Sequence, residues 1–213
     1  MNYFSNQDGA VIIDKLILSI QQNKQYLSDI DGLIGDGDHG INMNKGFTMC
    51  REELDKNPGD LSHGLKVLSK ILILKIGGSM GPLYGKFFKA ISLALEGKEE
   101  IGIVAMGDAL QAGVDAIASI SPAQVGDKTL IDTLVPAVVA YKNAQDDGRS
   151  FSEALEAMKI AAIQGRDSTK DMVAKIGRAS KLGERSRGVL DAGATSCCLI
   201  LETIANTGQE LLK

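Results

Sequence analysis

Apolar positions along this chain recur at helical spacing, and polar, glycine-rich stretches interrupt them about every 20 residues. From about Gly9 to Ser28, the residues Val11, Ile12, Leu16, Ile20 and Leu27 form one apolar stripe, broken only at Lys15. They predict a first helix. A second starts near His39 and carries Met43, Phe47, Cys50 and Leu54 on one face, until Asn57-Pro58-Gly59-Asp60 ends it. The third runs from about Leu61 to Ile76 and stops at Gly77-Gly78. The fourth opens at Gly81-Pro82, where proline suits a first helical turn, and its core side is Leu83, Phe87, Phe88, Ile91 and Leu95. Further helices are predicted over about Gly102 to Ser119, Leu130 to Ala144, Phe151 to Ile176 and Ala194 to Leu212. Ser150-Phe151-Ser152-Glu153 has the spacing of a capping box. Alternating apolar runs, the mark of half-buried strands, are absent.

Eight helices with mainly short connections predict antiparallel neighbours, and no Pro/Ser-rich linker divides residues 1–213. The expectation is an all-α, single-domain bundle or closed barrel of eight antiparallel helices. In such an up-and-down arrangement, alternate loops lie at one end. Those loops are Asp31 to Asn44, Gly77 to Gly81, Gly126 to Thr129 and Gly177 to Gly193, so they share a rim. The rim gathers helix N-termini near His39, Gly81, Thr129 and Gly193, whose free N–H groups and dipoles favour anions. Arg178, Arg185 and Arg187 supply cations nearby, and Lys128 is read as a partner of its neighbour Asp127.

Composition narrows the function classes. The chain has 213 residues, enough for a substantial core, with a net charge of −4 and no basic block, which argues against nucleic-acid binding. Cys50, Cys197 and Cys198 form no CxxC pair, so neither a disulfide framework nor a zinc site is expected, and a reducing compartment is. No basic-then-apolar leader opens the sequence and no apolar run reaches membrane-spanning length. A cytoplasmic protein with no membrane partner is the expectation.

The densest chemistry lies between Asp29 and Asn44: four aspartates, one histidine and two asparagines, interleaved with Gly32, Gly35, Gly37 and Gly40. A loop so rich in glycine can fold tightly enough to turn Asp31, Asp36 and Asp38 toward one point, where hard oxygen ligands suit Mg²⁺, Mn²⁺ or Ca²⁺. A solvated acidic turn has the same composition, and residue types alone leave both readings open. An EF-hand fails, because a loop begun at Asp36 puts Ile41 where the invariant glycine belongs and Phe47 where the bidentate glutamate belongs. Gly35-Asp36-Gly37-Asp38-His39-Gly40 spells a dinucleotide fingerprint, but no strand precedes it, and no P-loop lysine motif occurs anywhere. A nucleoside di- or triphosphate with Mg²⁺ fits the rim.

Four stretches, in this order, resemble the nucleotide-binding L subunit of dihydroxyacetone kinase: Ile34 to Asn44; Gly77-Gly78 with Gly81-Pro82-Leu83-Tyr84-Gly85; Gly126-Asp127-Lys128-Thr129; and Gly177-Arg178-Ala179-Ser180 with Leu182-Gly183-Glu184-Arg185-Ser186. The resemblance covers nearly the whole chain and implies a barrel of eight antiparallel helices holding ADP or ATP through two Mg²⁺ ions. It implies metal ligation by Asp31, Asp36 and Asp38, and nucleotide contacts at His39, Gly40, Ile41, Asn42, Ser79, Met80, Thr129, Leu130, Arg178, Asp191, Ala192 and Gly193. No protein nucleophile is implied. The implied partners are a K subunit that binds dihydroxyacetone and an M subunit of the phosphotransferase system that bears a phosphohistidine; a homodimer is compatible with the pattern. The phosphohistidine would recharge ADP in place, and the phosphoryl group would pass to dihydroxyacetone. An exchangeable-ATP kinase for dihydroxyacetone or another short ketose, and a nucleotide-loaded regulatory module without catalysis, are the alternative readings. The chain departs from the family pattern at Ser79-Met80, at Ser121-Pro122 and at Ala192.

Overall fold

The computed structural model describes residues 2–212. The helices are α1 (Ala10–Gln22), α2 (Lys24–Ile34), α3 (His39–Leu54), α4 (Leu61–Lys75), α5 (Met80–Leu95), α6 (Ile103–Ala118), α7 (Ile131–Asp146), α8 (Phe151–Ser168) and α9 (Ala192–Leu211). Each of α3 to α9 packs on the next, and α9 packs back on α1, which packs on α3. The circuit closes into a barrel. Phe47, Phe87 and Phe88 fill its interior, with ring centroids 6.2 Å (Phe47 to Phe88) and 5.2 Å (Phe87 to Phe88) apart.

The single first helix expected over Gly9 to Ser28 is two helices. Asn23 leaves helical geometry, with φ −99° and ψ 9°, and its side-chain Nδ2 donates to the Ser19 carbonyl at 2.8 Å. The same carbonyl also accepts the Asn23 amide at 3.1 Å, so Asn23 is held by both its backbone and its side chain where the helix ends. Helix α2 restarts at once and, like α1, packs against both α3 and α9. The two together make one bent stave, so the count of eight staves holds. The bend matters because α2 continues to Ile34, which puts Asp31 on a helical turn rather than in the loop the sequence suggested.

Helix α8 stops at Ser168, eight residues before its expected end at Ile176. Ser168 Oγ donates to the Gly165 carbonyl at 2.7 Å and Thr169 Oγ1 to the Arg166 carbonyl at 2.6 Å, and such back-bonding competes with the helical ladder. A 3₁₀ turn (Thr169–Asp171) and a second 3₁₀ segment (Ala179–Ser186) then carry the chain across the rim to α9. Two short strands were not expected either. β1 (Tyr3–Ser5) pairs antiparallel with β2 (Glu100–Gly102), with Phe4 opposite Ile101. Three residues are too few to display an alternating pattern.

This ribbon closes the barrel end where α4 begins and α5 finishes. Asn6 follows it and is buried, 4% exposed. Its Nδ2 donates to the Lys98 carbonyl at 3.0 Å, and its Oδ1 accepts from the Ser62 amide at 3.1 Å. Asn6→Ala would leave these groups unpartnered in a dry place, at a cost of about 1–3 kcal/mol. Denaturant unfolding should show that loss, and an unchanged midpoint would contradict this role for Asn6.

Candidate functional site

At the other end of the barrel, the α2–α3, α4–α5, α6–α7 and α8–α9 connections meet around a cavity of about 330 Å³. These are the four glycine-rich loops that the up-and-down argument placed together. Each builds one wall.

The α2–α3 connection builds the acidic wall. Gly35 ends α2, its amide donating to the Asp31 carbonyl at 2.5 Å. A Cβ at Gly35 would stand 2.5 Å from Asp31 Oδ1, so only glycine leaves that carboxylate its place. Gly37 then takes φ +76°, a left-handed turn that returns the chain toward α3. Asp31, Asp36 and Asp38 each bring one oxygen to a cluster whose members lie within 4.8 Å of one another. A divalent cation binds oxygens at roughly 2.0–2.6 Å, so two ligands on one ion stand up to about 5 Å apart. The donor set and its spread therefore fit Mg²⁺ or a similar ion. Asp31 Oδ2 also accepts from the His39 amide at 3.3 Å, the free N-terminus of α3. Asp36 forms an ion pair with Arg178, which reaches across from the fourth loop.

His39 stands where this wall meets the barrel interior. Its Nε2 lies 2.9 Å from Ser196 Oγ, and Ser196 Oγ lies 2.7 Å from the Tyr84 hydroxyl. Burial pushes the imidazole down to about 4, against the pull of the Asp31 charge, so the ring is neutral near pH 7.

The α6–α7 loop is shaped by Asp132, whose buried carboxylate accepts from the Gly126 amide at 2.5 Å and the Thr129 amide at 2.7 Å. Lys128 takes φ +62°. Its ammonium does not pair with Asp127, as the sequence suggested. It is buried and donates to the carbonyls of Thr169 at 2.6 Å and Val189 at 2.5 Å. Asp127 pairs instead with Lys175 at 3.4 Å. Lys128 thus ties the third loop to both ends of the fourth, which explains why a charged residue sits at a position that favours glycine.

In the fourth loop Asp191 caps α9, accepting from the Ala194 amide at 2.7 Å. Burial pushes its carboxyl up to about 6, although the Ala194 bond and the Lys128 charge both pull it down. Arg185 and Arg187 do not line the cavity; Arg187 pairs with Glu184 at 3.0 Å. The lining also includes the apolar side chains of Met80, Leu83, Ile117, Leu130 and Ile176.

The cavity is lined by Asp31, Asp36, Asp38, His39, Asn42, Ser79, Met80, Thr129, Leu130, Arg178, Asp191, Ala192 and Gly193. Gly40 and Ile41 do not line it. Gly40 is where α3 crosses α2: a Cβ there would strike the Lys24 carbonyl and stand 2.7 Å from Ser28 Oγ. Ile41 faces outward, 52% exposed. Sequence reasoning missed Tyr84, Ser196 and Asp132. Asp132 had a signal, since Thr129-Leu130-Ile131-Asp132 has capping-box spacing. Tyr84 lay unremarked inside the Gly81 to Gly85 stretch, and Ser196 has no signal in the sequence.

Comparison with known proteins shows the family of the chain and its fold. The family model described as "DAK2 domain" matches residues 33–206. The chain is 37% identical over 190 residues to the ADP-binding subunit DhaL of the PEP-dependent dihydroxyacetone kinase of Escherichia coli K12, covering 87% of this chain and 89% of that one. It is 39% identical over 186 residues to the ADP-binding subunit DhaL of the PTS-dependent dihydroxyacetone kinase of Lactococcus lactis, covering 87% and 88%. Among solved structures, the dihydroxyacetone kinase of C. freundii matches in its native form with TM-score 0.72 at 22% identity, covering 97% of this chain and 36% of that one. The same kinase in complex with AMP-PNP and Mg²⁺ matches with TM-score 0.67 at 23% identity, covering 93% and 33%. At those identities the structures speak to the fold, and the family model and the DhaL relatives speak to descent. The chain belongs to the DAK2 domain family, alongside the ADP-binding subunits of dihydroxyacetone kinases.

Proposed function

We propose that this chain is the nucleotide-binding phosphotransfer subunit of a dihydroxyacetone kinase of the phosphotransferase-system type. ADP stays in the rim cavity, a phosphohistidine on an M subunit recharges it to ATP, and the γ-phosphoryl passes to dihydroxyacetone held by a separate K subunit. The observation that carries this reading is the three-carboxylate cluster, within 4.8 Å, in the lining of a cavity that also presents apolar side chains. A magnesium nucleotide has that same division, a polyanionic metal-bound end and a flat, largely apolar base. The relatives of similar length support it, being named as ADP-binding subunits of PEP- or PTS-dependent kinases.

In this reading Asp31, Asp36 and Asp38 hold two Mg²⁺ ions, which would neutralise phosphate charge and the charge that develops during transfer. The N-termini of α3, α5 and α9 add N–H groups and positive dipole ends toward the phosphates. Met80 and Leu130 exclude water from the base. Arg178 exchanges its ion pair with Asp36 for the nucleotide's own charge. The chain itself supplies binding, orientation and electrostatics, and needs no nucleophile of its own.

Native mass spectrometry on protein desalted without added nucleotide should retain a mass equal to ADP plus two Mg²⁺. An empty chain that binds Mg·ATP only weakly would favour a kinase with exchangeable ATP, and one that binds no nucleotide would sink the reading. Asp36→Ala should weaken Mg²⁺-dependent ADP binding by at least about 100-fold, since even groups one shell out from a metal are worth 10–100-fold. Calorimetric titration of ADP into that variant with excess Mg²⁺ measures this, and wild-type affinity would show that Asp36 is no ligand.

A further inference from the structure

The stretch Leu182-Gly183-Glu184-Arg185-Ser186, in the fourth loop, gives no residue to the lining of the cavity, yet its serine is 0% exposed. Ser186 Oγ accepts from the Ala174 amide at 2.9 Å and donates to the Gly183 carbonyl at 2.7 Å. The directions are fixed, because an amide only donates and a carbonyl only accepts. Ala174 is itself buried. One hydroxyl therefore clasps the loop where its two arms meet.

Outside this clasp the loop is tied down. Lys128 holds the Thr169 and Val189 carbonyls, the Gly188 amide donates to the Lys170 carbonyl at 2.7 Å, and the Lys175 amide donates to the Asp127 carbonyl at 3.2 Å. Inside the clasp it is held far less. No residue from 176 to 185 is buried. Gly177 and Gly183 take φ +74° and +53°, and a Cβ at either would meet nothing within 4 Å, so these glycines serve the turns and not a close approach. Apart from bonds within the loop, the one polar tie of residues 176–185 among the described residues is the ion pair of Arg178 with Asp36. The segment Ala179–Ser186 also rests against α2. A stretch with so little burial and so few outside bonds belongs to the low-stability end of a fold and opens locally.

That stretch stands at the mouth of the cavity. Ile176, Gly177, Arg178 and Ala179 are in the lining, and the Arg178–Asp36 pair joins two of the lining loops. The paired side chains are 65% and 45% exposed, so the bridge lies where the cavity meets solvent. Opening the stretch removes part of the lining and breaks the bridge; closing restores both.

We infer that residues 176–185 are a flap that opens and closes at the cavity mouth, and that Ser186 is the positioning residue that keeps it closed with Arg178 in reach of its partner. The inference rests on the proposed function for what the flap retains, a magnesium nucleotide. Ser186 acts through Arg178 and is not in the cavity lining. Loss of its hydroxyl strands the Ala174 amide in the closed form, whereas the open form hydrates it, so opening is favoured.

Trypsin reads the flap directly, since Arg178, Lys181 and Arg185 lie in it. In nucleotide-free protein, Ser186→Ala should be cut at those sites about tenfold faster than wild type, as one lost buried hydrogen bond predicts, with cleavage in the helices unchanged. Equal cutting at the flap overturns the inference. So does faster cutting throughout the chain, which marks a general loss of stability. Arg178→Met, at an exposed position that leaves the core intact, should speed cutting at Lys181 and Arg185 a few-fold, and no change there also overturns it. Release of radiolabelled ADP with Mg²⁺, chased with unlabelled ADP, reads the retention. Ser186→Ala should release it about tenfold faster, and in an Arg178→Met background the same substitution should add nothing, because the two residues act as one unit. An unchanged release rate, or effects that add, defeats the positioning role. A wild type that binds no Mg·ADP defeats the nucleotide reading, while the trypsin result still decides the flap.

Discussion

Three carboxylate oxygens held within 4.8 Å of one another are the constraint on which the rest of this structure depends. Two like charges at about 4 Å repel by roughly 4 kcal/mol at the effective dielectric of a protein surface. A chain does not gather three of them without means of holding them, and each means is visible. The bend at Asn23 aims the end of α2 at the rim and places Asp31 there. Gly35 has no Cβ to displace that carboxylate, and Gly37 takes the left-handed turn that brings Asp36 and Asp38 back beside it. The α3 N-terminus points an amide at Asp31, and Arg178 arrives from 142 positions along the chain to pair with Asp36.

The other loops can then be understood as supports. Lys128 is a buried ammonium that donates to two carbonyls. What it does is hold the third loop against both ends of the fourth, and so hold Thr129 and Asp191 in the same wall. Asp132 does the same from within its own helix, bonding two amides of the loop before it. Ser196 and Tyr84 brace His39 from beneath. The barrel is a rigid ring, and the chemistry sits on loops cross-tied at its rim.

Much of this was legible in the sequence because it depends on periodicity and punctuation. Apolar stripes mark the staves, and alternate glycine-rich loops mark the shared rim. The errors have local causes. The first stave was expected straight because its apolar stripe continues through Asn23, and a side-chain bond to Ser19 is invisible to periodicity. Helix α8 was expected eight residues too long because Ser168 and Thr169 are neutral in a hydrophobic pattern, while their hydroxyls compete for carbonyls. Gly40 sits inside the most distinctive stretch of the chain, yet its place is set by the crossing of α2 and α3, not by the cavity. Ser196 contributes through a contact 157 residues away, which no local pattern encodes.

The central claim is that Asp31, Asp36 and Asp38 exist as a cluster to hold a divalent cation against a nucleotide. Crystals grown with ADP and Mn²⁺ test it most directly, because anomalous scattering locates the metal independently of any model. The account predicts manganese peaks bonded to oxygens of all three aspartates, with Arg178 withdrawn from Asp36. Peaks elsewhere, or none while Arg178 still pairs with Asp36, would contradict it.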